Sequence, residues 1–209
     1  VIDSGYQIMS FNAYKSIADV LRDFPIHYQE VDFIQEISLA INDFFRQRLA
    51  LILREGVVFN SDYAICENII SPILIEVWQS YRKKLLVWSH QPLSYDEQLS
   101  GIPDYMVAKR SPQGKVVFEE PYLIVVEAKK DNFEEGWGQC LAELVTAQKI
   151  NDTAEMEIFG IVSNGKFWEF GRLWRDSFEK NIKLYSISDL DELFSALNYI
   201  YQISQSYCI

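Results

Sequence analysis

The hydropathy pattern of this 209-residue chain predicts a mixed α/β fold, a β-sheet flanked by helices and preceded by a helical extension. Three observations predict it. Apolar residues recur at helical spacing over residues 16–81, a short and continuous apolar run stands at Leu123-Ile124-Val125-Val126, and Asn164-Gly165 separates two β-patterned segments. The resulting order is helix, strands, helix, strands, helix.

Residues 16–24 read as a short helix stopped by Pro25. Over residues 31–54, Phe33, Ile34, Ile37, Ile41, Phe44, Phe45, Leu49 and Ile52 fall at helical spacing, which predicts one long amphipathic helix ended by Gly56. Ser61-Asp62 suit an N-cap for a third helix reaching about Tyr81, with Pro72 expected to bend it or remove a backbone bond. Leu93, Tyr95, Glu97 and Leu99 then alternate with polar residues, Ser100-Gly101 reads as a turn, and residues 103–109 are extended again. A second turn at residues 111–114 leads to strands at 116–118 and 122–128. Asp131-Asn132 cap a helix over 133–150, residues 157–163 and 166–173 form a hairpin about Asn164-Gly165, and Ser188-Asp189 open a last helix through about Ile203. No repeat, linker or low-complexity tract interrupts the chain. Residues 1–60 are read as the helical extension and 61–209 as the domain that carries the chemistry.

Composition narrows the function. Thirty acidic against 19 basic residues give a net charge of −11, which excludes a protein that holds nucleic acid by bulk attraction. It leaves room for a nuclease, whose cations need only line one groove. No stretch approaches ~18 uninterrupted apolar residues, so no membrane association is expected. The opening residues 1–6 lack the pattern of a secretion signal. Cys66, Cys140 and Cys208 are odd in number and form no metal-like pair, which points to the reducing cytoplasm. With only His27 and His90, a His/Cys zinc site is not expected.

Three features converge on one chemistry. Glu127-Ala128-Lys129 ends the most apolar strand, and residues two apart in a strand share a face, so carboxylate and ammonium point together. The alternative is a strand end emerging into solvent, with Lys129 and Lys130 as its charged exit. Asp104, in Gly101-Ile-Pro-Asp104-Tyr105, lies where antiparallel pairing can bring it beside Glu127, although Pro103-Asp104 also suits a plain turn. Two adjacent carboxylates repel unless a cation lies between them, and Mg²⁺ takes one or two carboxylates while keeping waters. In the following helix, Gly136 and Gly138 permit close approach, and Gln139, Ala142, Glu143 and Thr146 form a small, polar stripe from which Gln139 can reach the strand end, although the pattern equally suits a solvated glutamine on a surface helix.

Together these residues resemble the PD-(D/E)XK nuclease superfamily, and in particular the nuclease-like amino-terminal domain of type I restriction motor subunits. The matching elements are Ile102-Pro-Asp104-Tyr105, Val125-Val-Glu127-Ala-Lys129, Gln139, the hairpin around Asn164-Gly165, and Glu67-Asn-Ile-Ile-Ser-Pro72 as a first core helix. The resemblance spans about residues 62–175 and implies a restriction-endonuclease-like sheet. It implies a Mg²⁺ or Mn²⁺ ion held by Asp104, Glu127 and the Ala128 carbonyl, Lys129 at the reacting phosphate, Gln139 in support, and Glu67 as a further acid. Glu67 also heads a stripe with Ile70, Leu74, Val77 and Tyr81 that should face the core, the alternative being an ordinary exposed acid at a helix start; Glu76 and Glu97 stay in reserve.

The expected activity is metal-dependent hydrolysis of phosphodiester bonds, in DNA rather than RNA. The alternative is a catalytically idle protein of the same fold that binds or assembles. Lys109, Arg110, Lys130 and the run Arg82-Lys83-Lys84 are candidates for steering a nucleic-acid backbone, although the run also suits, and is read first as, a solvated helix end; the apolar face of the N-terminal helix could cover the sheet or pair two subunits in a homodimer.

Overall fold

A computed structural model of the chain describes residues 11–208. The opening residues read above for a secretion signal lie outside them. The strands β1 (His27–Val31), β2 (Leu85–Ser89), β5 (Tyr105–Arg110), β6 (Phe118–Ala128), β7 (Ile158–Ser163), β8 (Phe167–Trp174) and β9 (Ser177–Asn181) build one mixed sheet in the order β1-β9-β8-β7-β6-β5-β2. Strand β10 (Tyr185–Ser186) pairs with β8, and β3 (Leu93–Ser94) with β4 (Ser100–Gly101) forms a separate small hairpin. The pairs β1–β9 and β6–β7 are parallel, and the remaining pairs of the large sheet are antiparallel. No helix among the described residues is long and apolar enough to cross a membrane.

Helices cover both faces of the sheet. On one face, α2 (Asp43–Glu55), α4 (Ser71–Trp78) and α6 (Leu190–Ser206) pack on Val107, Ile124, Val126, Ile161 and Phe170. On the other, α1 (Ile17–Asp23) and α5 (Phe133–Ile150) pack on Met106, Ala108, Val125 and Val162. Helix α5 is also the crossover that makes β6 and β7 parallel, as a parallel pair requires. Its start follows the Asn132 cap, whose side chain accepts the Glu135 N–H.

The long helix expected over 31–54 is corrected. Only residues 43–55 are helical, residues 27–31 are an edge strand on β9, and residues 32–42 form an irregular strap. Two buried asparagines explain the strap. The Asn181 side chain accepts the N–H groups of Phe33 and Ile34, and Asn198 donates to the carbonyls of Ile37 and Ser38. Those bonds satisfy backbone groups that a helix would have paired internally, and they still bury Phe33 and Ile41. The apolar face of α2, through Phe45 and Leu49, goes into the core against Phe194.

The third helix is also not uniform. It begins as α3 (Asp62–Ile65), widens to a π turn over Cys66–Ile70 and resumes as α4. Ser71 N–H bonds to the Cys66 carbonyl, five residues back, just before Pro72, which has no N–H to give. Thus Pro72 accompanies a wide turn in a continuous rod.

Candidate active site

One residue beyond the paired Tyr105 and Val126 stand Asp104 and Glu127, on adjacent antiparallel strands. Asp104 Oδ2 accepts the Ala128 N–H at 2.8 Å, which ties the acid of one strand to the backbone of the next. Glu127 lies two residues from Val125 and so faces α5. Lys129 Nζ stands 3.8 Å from Glu127 Oε2, and the Lys129 N–H extends the ladder to the Ser163 carbonyl at 2.9 Å. Asp104, Glu127, Ala128, Lys129 and Gln139 line one cavity of about 440 Å³.

Helix α5 adds a second layer. A Cβ on Gly136 would stand 2.8 Å from Lys129 Cγ and 2.7 Å from Val162 Cγ1, so only glycine leaves room for the lysine stem. Gly138 does not approach the sheet. It admits the backbone of residues 14–16, with Tyr14 O 2.7 Å from where a Cβ would lie. That close approach positions the 3₁₀ turn Phe11–Ala13 as a wall of the cavity. Asn12 Oδ1 accepts from Gln139 Nε2, and Gln139 Oε1 is left buried with no partner.

Two further residues reach the cavity, neither of which the sequence assigns a role. Glu143, one turn along α5 from Gln139, is only 1% exposed. Burial first, then the charge of Glu127 and a hydrogen bond to it, raise its carboxyl well above the usual range. Burial and the nearby Asp104 push Glu127 up to about 7. Glu143 therefore keeps its proton and donates it to Glu127. The signal was its place four residues after Gln139 in the polar stripe. His90, just beyond the end of β2, holds a positive φ of 51° and brings Nε2 to 3.6 Å from Asp104 Oδ1. Burial raises Asp104 as well, against the opposing pull of the Ala128 N–H, His90 and Lys129.

Glu67 is not brought to the cavity; it is exposed on the far side of the helix. Its expected stripe assumed α spacing, but the buried residues run 65/66, 69/70 and 73/74, steps of four that the π turn accommodates and that carry Glu67 out of phase. From this stretch of helix it is Asp62, at the start of α3, that lines the cavity, its Oδ1 accepting the Lys130 N–H at 2.7 Å. Glu76 and Glu97 do not line it either.

The donor set suits a hard divalent cation. Two carboxylates converge and repel in a buried cleft, and a carbonyl-bearing strand end and an unpartnered amide oxygen lie beside them. Among the described residues, no three or more His, Cys, Asp or Glu side chains are arranged as a ready-made metal cage. An ion here would rely on the Asp104–Glu127 pair and retained waters, as Mg²⁺ commonly does.

Comparison of the chain with family models, curated proteins and solved structures finds no match in any of the three.

Proposed function

We propose that this chain is a metal-dependent nuclease of the PD-(D/E)XK type, acting on phosphodiester bonds in DNA. The observation that carries the reading is the meeting of Asp104 and Glu127 across β5 and β6, with Lys129 beside them in one cleft. Carboxylates so close are costly in a buried site unless a cation neutralises them. Asp104, Glu127 and the Ala128 carbonyl would hold Mg²⁺ or Mn²⁺. When bound, the ion supplies a water of lowered pKa and offsets charge growing on the scissile phosphate.

The chain's own groups do the rest. The Lys129 ammonium, its stem seated in the space left by Gly136, orients the attacking water and meets the developing negative oxygen. Asn12 holds the amide of Gln139, whose carbonyl oxygen, buried and unpartnered, would be free to accept from a water or an ammonium brought to it. Glu143 keeps its proton and donates it to Glu127, so a hydrogen-bonded pair of buried carboxyls stands beside Asp104.

A second reading, an idle member of the same fold that binds or assembles, is favoured by one observation, the lack of a fully formed metal-ligand set among the described residues. Incubation with plasmid and single-stranded DNA in Mg²⁺ or Mn²⁺ separates the two. Cleavage that stops in EDTA and is lost in Asp104→Ala and Lys129→Ala supports the nuclease. Cleavage that survives either substitution, or no cleavage by the parent protein, contradicts it.

A further inference from the structure

The chain is strongly acidic, and most of its cations are matched to a carboxylate: Lys15, Arg22, Arg46, Arg54, Lys129, Lys130, Arg172, Arg175, Lys180 and Lys183 all stand within 4.0 Å of one. Lys149 and Lys166 lie over aromatic rings. Apart from Arg48, Lys115, Lys149 and Lys166, the basic residues left without an ion pair among the described residues gather in one place. They are Arg82, Lys83 and Lys84 in the turn before β2, and Lys109 and Arg110 at the end of β5.

Pairing of β2 with β5 puts these two sets side by side, with Leu85 opposite Lys109. The Arg110 N–H donates to the Lys84 carbonyl at 2.7 Å, and the Arg110 guanidinium reaches the Arg82 carbonyl at 3.3 Å, so the cations stand on backbone that is laced together. Lys83, Lys84, Lys109 and Arg110 line a concave groove of about 560 Å³ with Ser111 and Gly114. Glu119, on β6, stands opposite Lys109 in the β5–β6 register. Five like charges so crowded repel one another, and with only Glu119 opposite them the patch is complementary to an anion.

We infer that this groove is a second nucleic-acid contact, holding the phosphate backbone at a distance from the cleft. The choice of nucleic acid over other polyanions rests on the nuclease reading. Asp104 and Arg110 lie at opposite ends of β5, about 20 Å apart at ~3.3 Å per residue, roughly six steps of a duplex at ~3.4 Å each. The cleft opens beside α5, whereas Cys208 just beyond the end of α6 lines the groove, so a nucleic acid held in the cleft would reach the groove by passing around the edge strand β2.

The test is binding of a duplex long enough to span both places, followed by fluorescence anisotropy in EDTA, where nothing is cut. Two variants, Lys83→Glu/Lys84→Glu and Arg110→Gln, are compared with the parent, each checked for an unchanged thermal melt. The double charge reversal should weaken binding by about tenfold or more and reduce the slope of log K against log salt by about 2, near 0.9 for each phosphate no longer neutralised. Arg110→Gln should reduce the slope by about 1. Parent-like affinity and slope in both variants overturn the groove. So does tighter binding to vesicles of anionic phospholipid than to the duplex, abolished in the same variants, since that marks a membrane surface instead. The two readings fail separately: a parent that cuts nothing in Mg²⁺ sinks the nuclease, whereas the EDTA measurement alone decides the groove.

Discussion

Asp104 accepts the backbone N–H of Ala128 at 2.8 Å. The bond fixes one carboxylate oxygen and leaves the other, Oδ1, toward His90 and the cleft. The amide of Asn can accept the same N–H but offers no negative charge to a cation. Asp104→Asn is thus expected to melt within a few degrees of the parent while losing cleavage by about a hundredfold or more. Thermal denaturation alongside the DNA-cutting assay checks both halves; a variant that keeps cutting would mean that Asp104 does not serve the chemistry.

The pair Glu127–Glu143 sets a pH dependence. The carboxyl of Glu127 is raised from 4.5 to about 7, so between these values the metal-free folded chain holds a proton that the unfolded chain has released. Its contribution is complete below about pH 4.5, and stability declines as pH rises toward about 7. A divalent ion takes the deprotonated form, so its affinity should climb through the same window and level off above it. Melting temperatures in EDTA and in Mn²⁺ across this range should diverge with rising pH. Glu143→Gln, which removes one of the two acids, should flatten the EDTA curve; curves that stay parallel would contradict the shared proton.

Asn12 acts through Gln139. Removing its side-chain oxygen frees the Gln139 amide to turn, so Asn12→Ala should lower kcat by about tenfold with KM and the melt little changed, a loss of about 1.4 kcal/mol in the transition state. Asn12→Asp, which keeps an acceptor, should recover much of the rate. Gly138→Ala would push a methyl against Tyr14 O and Ser16 N and detach the whole wall, so it should cost both stability and activity.

The strap over residues 32–42 depends on Asn181. With Asn181→Ala, the N–H groups of Phe33 and Ile34 lose their acceptor in a buried setting, at a cost of about 1–3 kcal/mol. Urea denaturation should show this as a lower midpoint. Hydrogen exchange should show faster exchange at Phe33 and Ile34 than elsewhere in the sheet. An unchanged midpoint would mean the strap is held by its apolar contacts alone.

Local signals made much of the fold legible in the sequence. The Asn132 cap and the polar stripe gave α5, and Asn164-Gly165 gave the β7–β8 hairpin, where Gly165 takes a φ of 81° and the Asn164 side chain accepts the N–H groups of Lys166 and Phe167. The acid pair was legible because both residues sit at strand ends, where two-residue periodicity fixes the face. What was hidden depended on distant partners. The helical spacing of Phe33, Ile34, Ile37 and Ile41 is met by a strap that Asn181 and Asn198 hold, residues some 150 positions later. Strands β2 and β9 are short edge or near-edge segments whose pairing is set by β5 and β8. The phase of Glu67 turned on a π turn that no residue pattern announces, and Asn12 joined the site only through the space left by Gly138.

Everything proposed for the cleft requires that Asp104 and Glu127 share a divalent cation. Anomalous diffraction from a crystal soaked in Mn²⁺ reads this out. A single strong peak is expected between the two side chains, about 2.1 Å from a carboxylate oxygen of each, and it should vanish in Asp104→Asn. A cleft that stays empty at saturating Mn²⁺, or a peak bound elsewhere on the chain, would refute the shared cation.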